Sequence, residues 1–106
     1  MSTPPEYRLQ YLPLFWDDLN RAATYIAVSL QNPAAAERLV DRVEEAILKM
    51  RSTPTAAPLH RSTRTRPVPY RWLAVGNYRV FYVIEGDVIE VRRLLYGGRD
   101  LKGLLP

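Results

Sequence analysis

The segment that decides the fold runs from Tyr70 to Asp100, YRWLAVGNYRVFYVIEGDVIEVRRLLYGGRD. Aliphatic and aromatic residues alternate there with arginines, which is typical of β-strands with a buried side. Arginine stays protonated at physiological pH and offers a planar fork of donors, so a cluster of arginines on a rigid sheet suits phosphate or carboxylate. The sequence therefore predicts an anion-binding site built from the arginines of this segment, Arg71, Arg79, Arg92, Arg93 and Arg99.

Length and composition narrow the class of protein. A chain of 106 residues with 47% hydrophobic and 25% charged residues is typical of a globular protein, and we expect one domain over residues 1–106. The formal charge of +4 favours an anionic partner. The absence of cysteine excludes disulfides, thiolate nucleophiles and zinc sites built on sulfur, and we expect neither a cofactor nor a metal. With no leader pattern and no apolar run of membrane length, we expect a cytoplasmic protein that does not associate with membranes.

The residues before Tyr70 predict one strand, two helices and a loop. Residues 1–5 predict a flexible tail, and residues 7–12 a short strand that Pro13 ends. Apolar spacing predicts a helix from Leu14, with Asp17 and Asp18 in its first turn, and a second helix from Pro33. Residues 53–69, rich in proline and arginine, predict a long basic loop. The apolar positions of the two helices are Phe15, Leu19, Ala22, Ile26 and Leu30, and then Ala36, Val40, Val43, Ile47 and Met50.

Three further strands are predicted at residues 70–75, 78–84 and 88–96, with tight turns at residues 76–77 and 85–87. The predicted fold is α+β in the order β-α-α-β-β-β, with a helical hairpin packed on one face of a small, mostly antiparallel sheet and the other face free for function. A three-residue turn at 85–87 would place Arg79 opposite Arg93, and two facing cations would indicate a shared anion. A two-residue turn would send Arg93 to the other face.

The chain resembles the RelE/ParE superfamily, the toxins of bacterial type II toxin-antitoxin systems. The resemblance covers residues 7–101 and depends on the helical hairpin FWDDLNRAATYI...LQNPAAAERLVDRVEEAILKM, the strand YRVFYVI at residues 78–84 and the run RLLY at residues 93–96 that leads to Arg99 and Asp100. It implies a compact α+β toxin that a cognate antitoxin neutralises with its C-terminal segment. One branch of the superfamily cleaves mRNA on the ribosome, and the other poisons DNA gyrase.

The resemblance also implies site residues. In the mRNA-cleaving branch the arginine of the central strand matches Arg79, a basic residue of the preceding strand matches Arg71, and the basic residue after the last strand matches Arg99. The sequence departs from that branch at three places where a lysine, a His-Tyr pair and a C-terminal tyrosine are common. Those places hold Leu73, Gly97-Gly98 and Leu104-Leu105. Tyr96 is the nearest substitute for the missing tyrosine and completes the predicted catalytic set.

RNA cleavage by the 2′-hydroxyl requires a base, an acid and cations for the pentacovalent phosphate. Arg79 suits the cationic role, because arginine does not deprotonate and cannot be the base. The sequence leaves His60, Glu90 and Tyr96 as candidates for proton transfer. Each residue also has a structural interpretation: Arg79 pairing with Glu90, Arg99 pairing with Asp100, Tyr96 in the core and His60 in solvent.

Three functions follow from these observations. The first is a ribosome-dependent mRNA endonuclease that uses Arg71, Arg79, Arg99 and Tyr96. The second is a DNA gyrase poison without nuclease activity, which the missing proton-transfer residues favour. The third is a toxin-derived domain that only binds its antitoxin. In each case we expect the antitoxin to place apolar anchors over the helical hairpin and acidic side chains against the arginines.

Overall fold

The computed structural model describes residues 7–61, 66–99, 101 and 103–106. The predicted tail 1–5, residues 62–65 of the predicted loop and the predicted partner Asp100 lie outside these residues. The elements follow the predicted order: β1 (Arg8–Tyr11), α1 (Pro13–Thr24), a π-helical turn (Tyr25–Ser29), α2 (Pro33–Ser52), β2 (Arg71–Val75), β3 (Tyr78–Glu85) and β4 (Val88–Tyr96). No helix in the described ranges is long and apolar enough to cross a membrane.

The four strands form one mixed sheet in the order β1-β4-β3-β2. β1 runs parallel to β4, whereas β2, β3 and β4 form an antiparallel meander. Gly76 and Gly86 each have a φ of 59°, the left-handed conformation that two-residue hairpin turns require. β1 has only four residues because α1 begins at Pro13. Between the two elements, the Leu12 N–H donates to the Val91 carbonyl at 2.9 Å.

The start of α1 differs from the prediction. The helix begins at Pro13, whose fixed φ suits the first helical position, so Asp17 and Asp18 follow the first turn instead of lying in it. The predicted interaction of these carboxylates with the helix dipole is therefore wrong. Asp18 is buried, together with the predicted core residues Phe15 and Leu19.

The end of the hairpin's first arm also differs from a regular helix. The π-helical turn ends at Ser29, and Leu30, predicted to face the core, is 55% exposed. Gln31 then adopts a φ of 50°. Asn32 starts α2 by accepting a hydrogen bond from the Ala35 N–H at 3.1 Å, which satisfies one of the free donors of the first turn. Along α2, Leu39 joins the predicted apolar residues in the core.

Both faces of the sheet are covered. The helix-side core contains Phe15, Val43, Ile47, Val80 and Tyr82, with β1 and both helices packed around them. The opposite surface, called the far face from here on, carries a second core. That core buries Tyr70, Phe81, Val83, Leu95 and Leu105, with Val68, Trp72, Leu101 and Leu104 packed against it. The prediction that this face is free is therefore wrong over most of its area, because the last residues of the chain fold back onto it.

The register separates arginines that the sequence predicted to face each other. Glu85 pairs with Val88 across a two-residue turn, and a β-bulge at Arg92 then shifts the pairing by one residue. As a result Arg79 lies opposite Leu95, and Arg93 lies opposite Phe81. The pairing of Arg79 with Arg93 that a three-residue turn would give, and with it the shared anion, is wrong. The turn has two residues, but Arg93 does not move to the other face as predicted for that turn, because the bulge places it opposite the far-face residue Phe81.

Candidate functional site

Arg79 is the arginine that remains available on the far face. Its guanidinium carbon lies 4.0 Å from the centroid of the Trp72 indole, a cation–π distance. The two side chains meet because Arg79 pairs with Ala74 and Trp72 pairs with Phe81, so both point to the far face from neighbouring strands. No carboxylate in the described part of the chain pairs with Arg79. The indole therefore holds the guanidinium flat against its ring. The N–H donors of the guanidinium remain available to an anion.

His60 lies beside this stack. The backbone N–H of His60 donates to the Tyr70 carbonyl at 2.8 Å, and its imidazole meets the Phe81 ring edge-on at 5.8 Å. Burial lowers the pKa of His60 below the usual 6.5, and the positive charges of Arg66 and Arg79 lower it further. His60 is therefore neutral at pH 7, the form in which one ring nitrogen can accept a proton.

Gly97 allows the turn after β4 to approach this site. Its N–H donates to the Asn77 carbonyl at 2.8 Å, and a Cβ at position 97 would lie 3.2 Å from that oxygen and 3.8 Å from the Arg79 Nε. A Cβ there would crowd the Asn77 carbonyl, while its contact with Arg79 would be an ordinary van der Waals contact. Arg99 follows in the same turn, with its backbone N–H bonded to the Tyr96 carbonyl and its side chain exposed.

Two of the predicted anion-binding arginines are neutralised by this chain's own acids. Arg93 makes a bidentate pair with Asp18, with N–O distances of 2.7 and 2.8 Å, and the Asp18 side chain is only 5% exposed. Arg92 donates to Glu90 at 2.7 Å and lies 3.8 Å from a Glu85 oxygen. The prediction that Arg92 and Arg93 join Arg79 in one anion site is therefore wrong. The pairing also commits Glu90 to Arg92 instead of to Arg79.

Arg71 lies on the other side of the sheet from Arg79. It pairs with Tyr82, whose side chain belongs to the helix-side core, because side chains alternate between faces along a strand. The Arg71 guanidinium donates to the carbonyls of Thr55 and Ala57 at 3.0 and 2.8 Å. Arg71 thus fastens the start of the long loop, and its predicted convergence with Arg79 is wrong.

Tyr96 also points away from Arg79. It lies opposite Tyr78 at the helix-side end of the sheet, where the two rings meet edge-to-face at 5.8 Å and Tyr96 is 54% exposed. Of the residues predicted for the site, the structure therefore brings together Arg79 and His60, and it places the backbone of Arg99 nearby. Trp72 was not identified as a site residue from the sequence, and only the register reveals that it supports Arg79.

The arrangement can bind an anion and can accept a proton. A stacked guanidinium recognises a phosphate or a carboxylate, and the neutral imidazole of His60 provides an acceptor within the same cluster. Trp72 also provides a flat surface on which a base or another planar group can stack.

The chain is similar to known toxins of toxin-antitoxin systems in sequence and in fold. Residues 9–101 match the family model described as the ParE toxin of the type II toxin-antitoxin system parDE. A chain of the chromosomal ParDE system from P. aeruginosa shares the fold with a TM-score of 0.70 at 17% identity, over 88% of this chain and 98% of that chain. A chain of the archaeal RelE-RelB complex from Pyrococcus horikoshii gives a TM-score of 0.57 at 17% identity, over 90% and 99%. No curated protein matches the sequence.

Proposed function

The chain belongs to the ParE toxin family of type II toxin-antitoxin systems, which confirms the predicted RelE/ParE superfamily, and on that premise we propose that it arrests growth by binding and poisoning DNA gyrase. The observation that carries this proposal is the family match over residues 9–101. A poison of this kind needs a rigid contact surface and no catalytic residues. We further propose that a cognate antitoxin neutralises the toxin, with acidic side chains that complement its net charge of +4.

The dispersion of the arginines supports a binding mechanism over a catalytic one. Arg93 and Arg92 are paired with carboxylates, and Arg71 is bonded to two carbonyls. RNA cleavage would require several cations, a base and an acid around one phosphate. The described residues place one candidate base, His60, close to Arg79 and Arg66 on the far face, whereas Arg71, Arg92 and Arg93 are bonded to other groups. In the proposed complex Arg79, stacked on Trp72, contacts an acidic group of the target.

The direct test is a plasmid assay with purified toxin, DNA gyrase and supercoiled DNA. We expect the toxin to trap cleaved plasmid in the presence of gyrase, and to leave the plasmid intact without it. Arg79→Ala should weaken trapping, whereas Arg8→Ala should not, because Arg8 is exposed on β1 and lies 3.6 Å from Asp87. If gyrase relaxes and supercoils DNA normally in the presence of excess folded toxin, the proposal is overturned.

A second candidate function, ribosome-dependent mRNA cleavage, is favoured by one observation, the neutral His60 beside Arg79. In that mechanism His60 takes the proton of the 2′-hydroxyl as its oxygen bonds to phosphorus, and Arg79, with Arg99, stabilises the negative charge of the phosphorane. The P–O5′ bond then breaks, and the leaving 5′-oxygen takes a proton from water. Loss of one such charge-stabilising donor typically slows a reaction by roughly 100- to 1000-fold. Primer extension on ribosome-bound message should then reveal cuts that Arg79→Ala and His60→Gln abolish and Arg8→Ala preserves. Intact message at matched toxin concentration would eliminate this candidate.

A further inference from the structure

The helix side of the sheet, opposite to the face that carries the Arg79 side chain, has a groove of its own. A groove of about 340 Å³ separates the first half of α2 from the β2–β3 turn. Ile26, Leu39 and Val75 provide apolar side chains to it, and the turn residues Asn77 and Tyr78 form the wall opposite the helix. The groove exists because α2 passes over the end of β2 while the turn projects beyond the sheet.

Two arginines line the helical wall of this groove. Arg38 and Arg42 are four residues apart on α2, so their side chains lie on the same face one turn apart. Both are exposed, and within the described ranges neither has an ion-pair or hydrogen-bond partner. This pair differs from Arg92 and Arg93, whose charges this chain's own acids neutralise.

Aromatic residues stand at the turn side of the groove. Tyr78 packs edge-to-face with Tyr96, and Tyr25 at the hairpin tip is close enough to affect its ionisation. Burial raises the pKa of Tyr78 above 10.0, and Tyr25 and Tyr96 raise it further, so the Tyr78 hydroxyl remains a neutral donor and acceptor. Tyr25 and Tyr96 are each 54% exposed, which leaves their rings available to a partner.

We propose that this groove binds a short acidic segment of a partner protein, with a carboxylate between Arg38 and Arg42 and an adjacent apolar side chain against the half-buried Ile26, beside the nearly buried Leu39 and Val75. Unpaired guanidinium groups beside an apolar floor complement a carboxylate that neighbours an apolar anchor. A nucleic acid fits less well, because α2 also exposes Glu37, Asp41, Glu44 and Glu45, which repel an extended chain of phosphates. The proposal is independent of whether the toxin acts on gyrase or on mRNA.

The test uses ¹⁵N-labelled full-length protein made by cell-free synthesis and three probes. The probes are the peptide Ac-GDLFDG-NH2, its uncharged counterpart Ac-GNLFNG-NH2 and a short oligothymidylate. Backbone chemical shifts are followed at low and high salt. The variants are Arg38→Glu and Arg42→Glu, with Arg21→Glu as the matched control, since Arg21 is exposed on α1 outside the groove and its reversal changes the net charge equally. Glutamate is a good helix former, and far-UV circular dichroism confirms that each variant is folded.

We expect the acidic peptide to shift the resonances of Asn77, Tyr78 and Leu39, and the uncharged peptide to bind far more weakly. Each groove variant should weaken acidic-peptide binding by roughly tenfold or more, because attraction becomes repulsion, and Arg21→Glu should change it little. Three results would overturn the proposal: no shifts at millimolar peptide, equal weakening in all three variants, or tighter binding of oligothymidylate at the same residues. The last would assign the groove to nucleic acid instead.

Discussion

Replacement of Asp18 by alanine should destabilise the protein more than any surface substitution. The Asp18 carboxylate accepts from the Arg93 Nε at 2.7 Å, the Arg93 Nη2 at 2.8 Å and the Leu94 N–H at 3.0 Å. The side chains of Asp18 and Arg93 are only 5% and 11% exposed, so the variant would leave the Leu94 N–H without a partner and the Arg93 cation without a counter-charge, held only by the Leu104 carbonyl at 2.7 Å. Breaking a buried pair in this way costs about 3–5 kcal/mol.

The assay is urea unfolding at pH 7 followed by far-UV circular dichroism. A domain of this size has about 5–15 kcal/mol of stability, so the loss is a large fraction of the total. With a slope of about 1–3 kcal/mol per molar urea, the midpoint should fall by about 2 M. Asp17→Ala is the matched control: Asp17 is the exposed neighbour on α1, and its replacement should change stability by less than about 0.5 kcal/mol.

A double-mutant cycle separates the pair from the helix. Asp18→Ala, Arg93→Met and the double variant should give a coupling energy above about 1 kcal/mol, because each single change strands the other charge. Stability of Asp18→Ala within 1 kcal/mol of the unmodified protein, or a loss equal to that of Asp17→Ala, would refute the reasoning.

Three further outcomes are expected. Tyr82→Phe should cost about 1–3 kcal/mol in the same unfolding assay, because the Tyr82 hydroxyl donates to the Pro54 carbonyl at 2.6 Å in a buried site. Arg71→Ala should accelerate proteolytic cleavage within residues 53–61 while leaving β2 protected from hydrogen exchange, since its guanidinium holds the carbonyls of Thr55 and Ala57. His60 is the chain's single histidine, and its NMR titration should give a pKa below 6.5 that rises in Arg79→Gln. Because that pKa is depressed by folding, stability should fall as pH drops below 6.5 toward the folded-state value, and His60→Gln should remove this part of the slope.

Local patterns in the sequence were sufficient to predict the fold. The helical spacing from Phe15 onwards and the runs of aliphatic and aromatic residues in β3 and β4 each identify an element from neighbouring residues alone. Gly76-Asn77 marks a two-residue turn, and the structure pairs Val75 with Tyr78 across it. These signals are short-range, and the element order follows from them directly.

The site was less predictable, because it depends on register and on contacts between distant residues. The bulge at Arg92 has no local signature, yet it decides which residue lies opposite Arg79. In the sequence Asp18 is an ordinary carboxylate near the start of a helix. Its partner, Arg93, lies 75 residues later in the chain. Arg71 and Arg79 both look like strand arginines with free charges, and only the three-dimensional pairing reveals that they point to opposite faces.

The unequal lengths of the parallel strands β1 and β4 affect whether another strand can pair with β4. β4 has nine residues and β1 has four, so residues 92–96 of β4 have no neighbouring strand on the β1 side. An open strand border of this kind is a template for pairing with another chain and for aggregation. Here α1 packs against this edge of β4, and the Asp18 carboxylate accepts a hydrogen bond from the Leu94 N–H. α1 therefore blocks the pairing of another strand with residues 92–96 of β4.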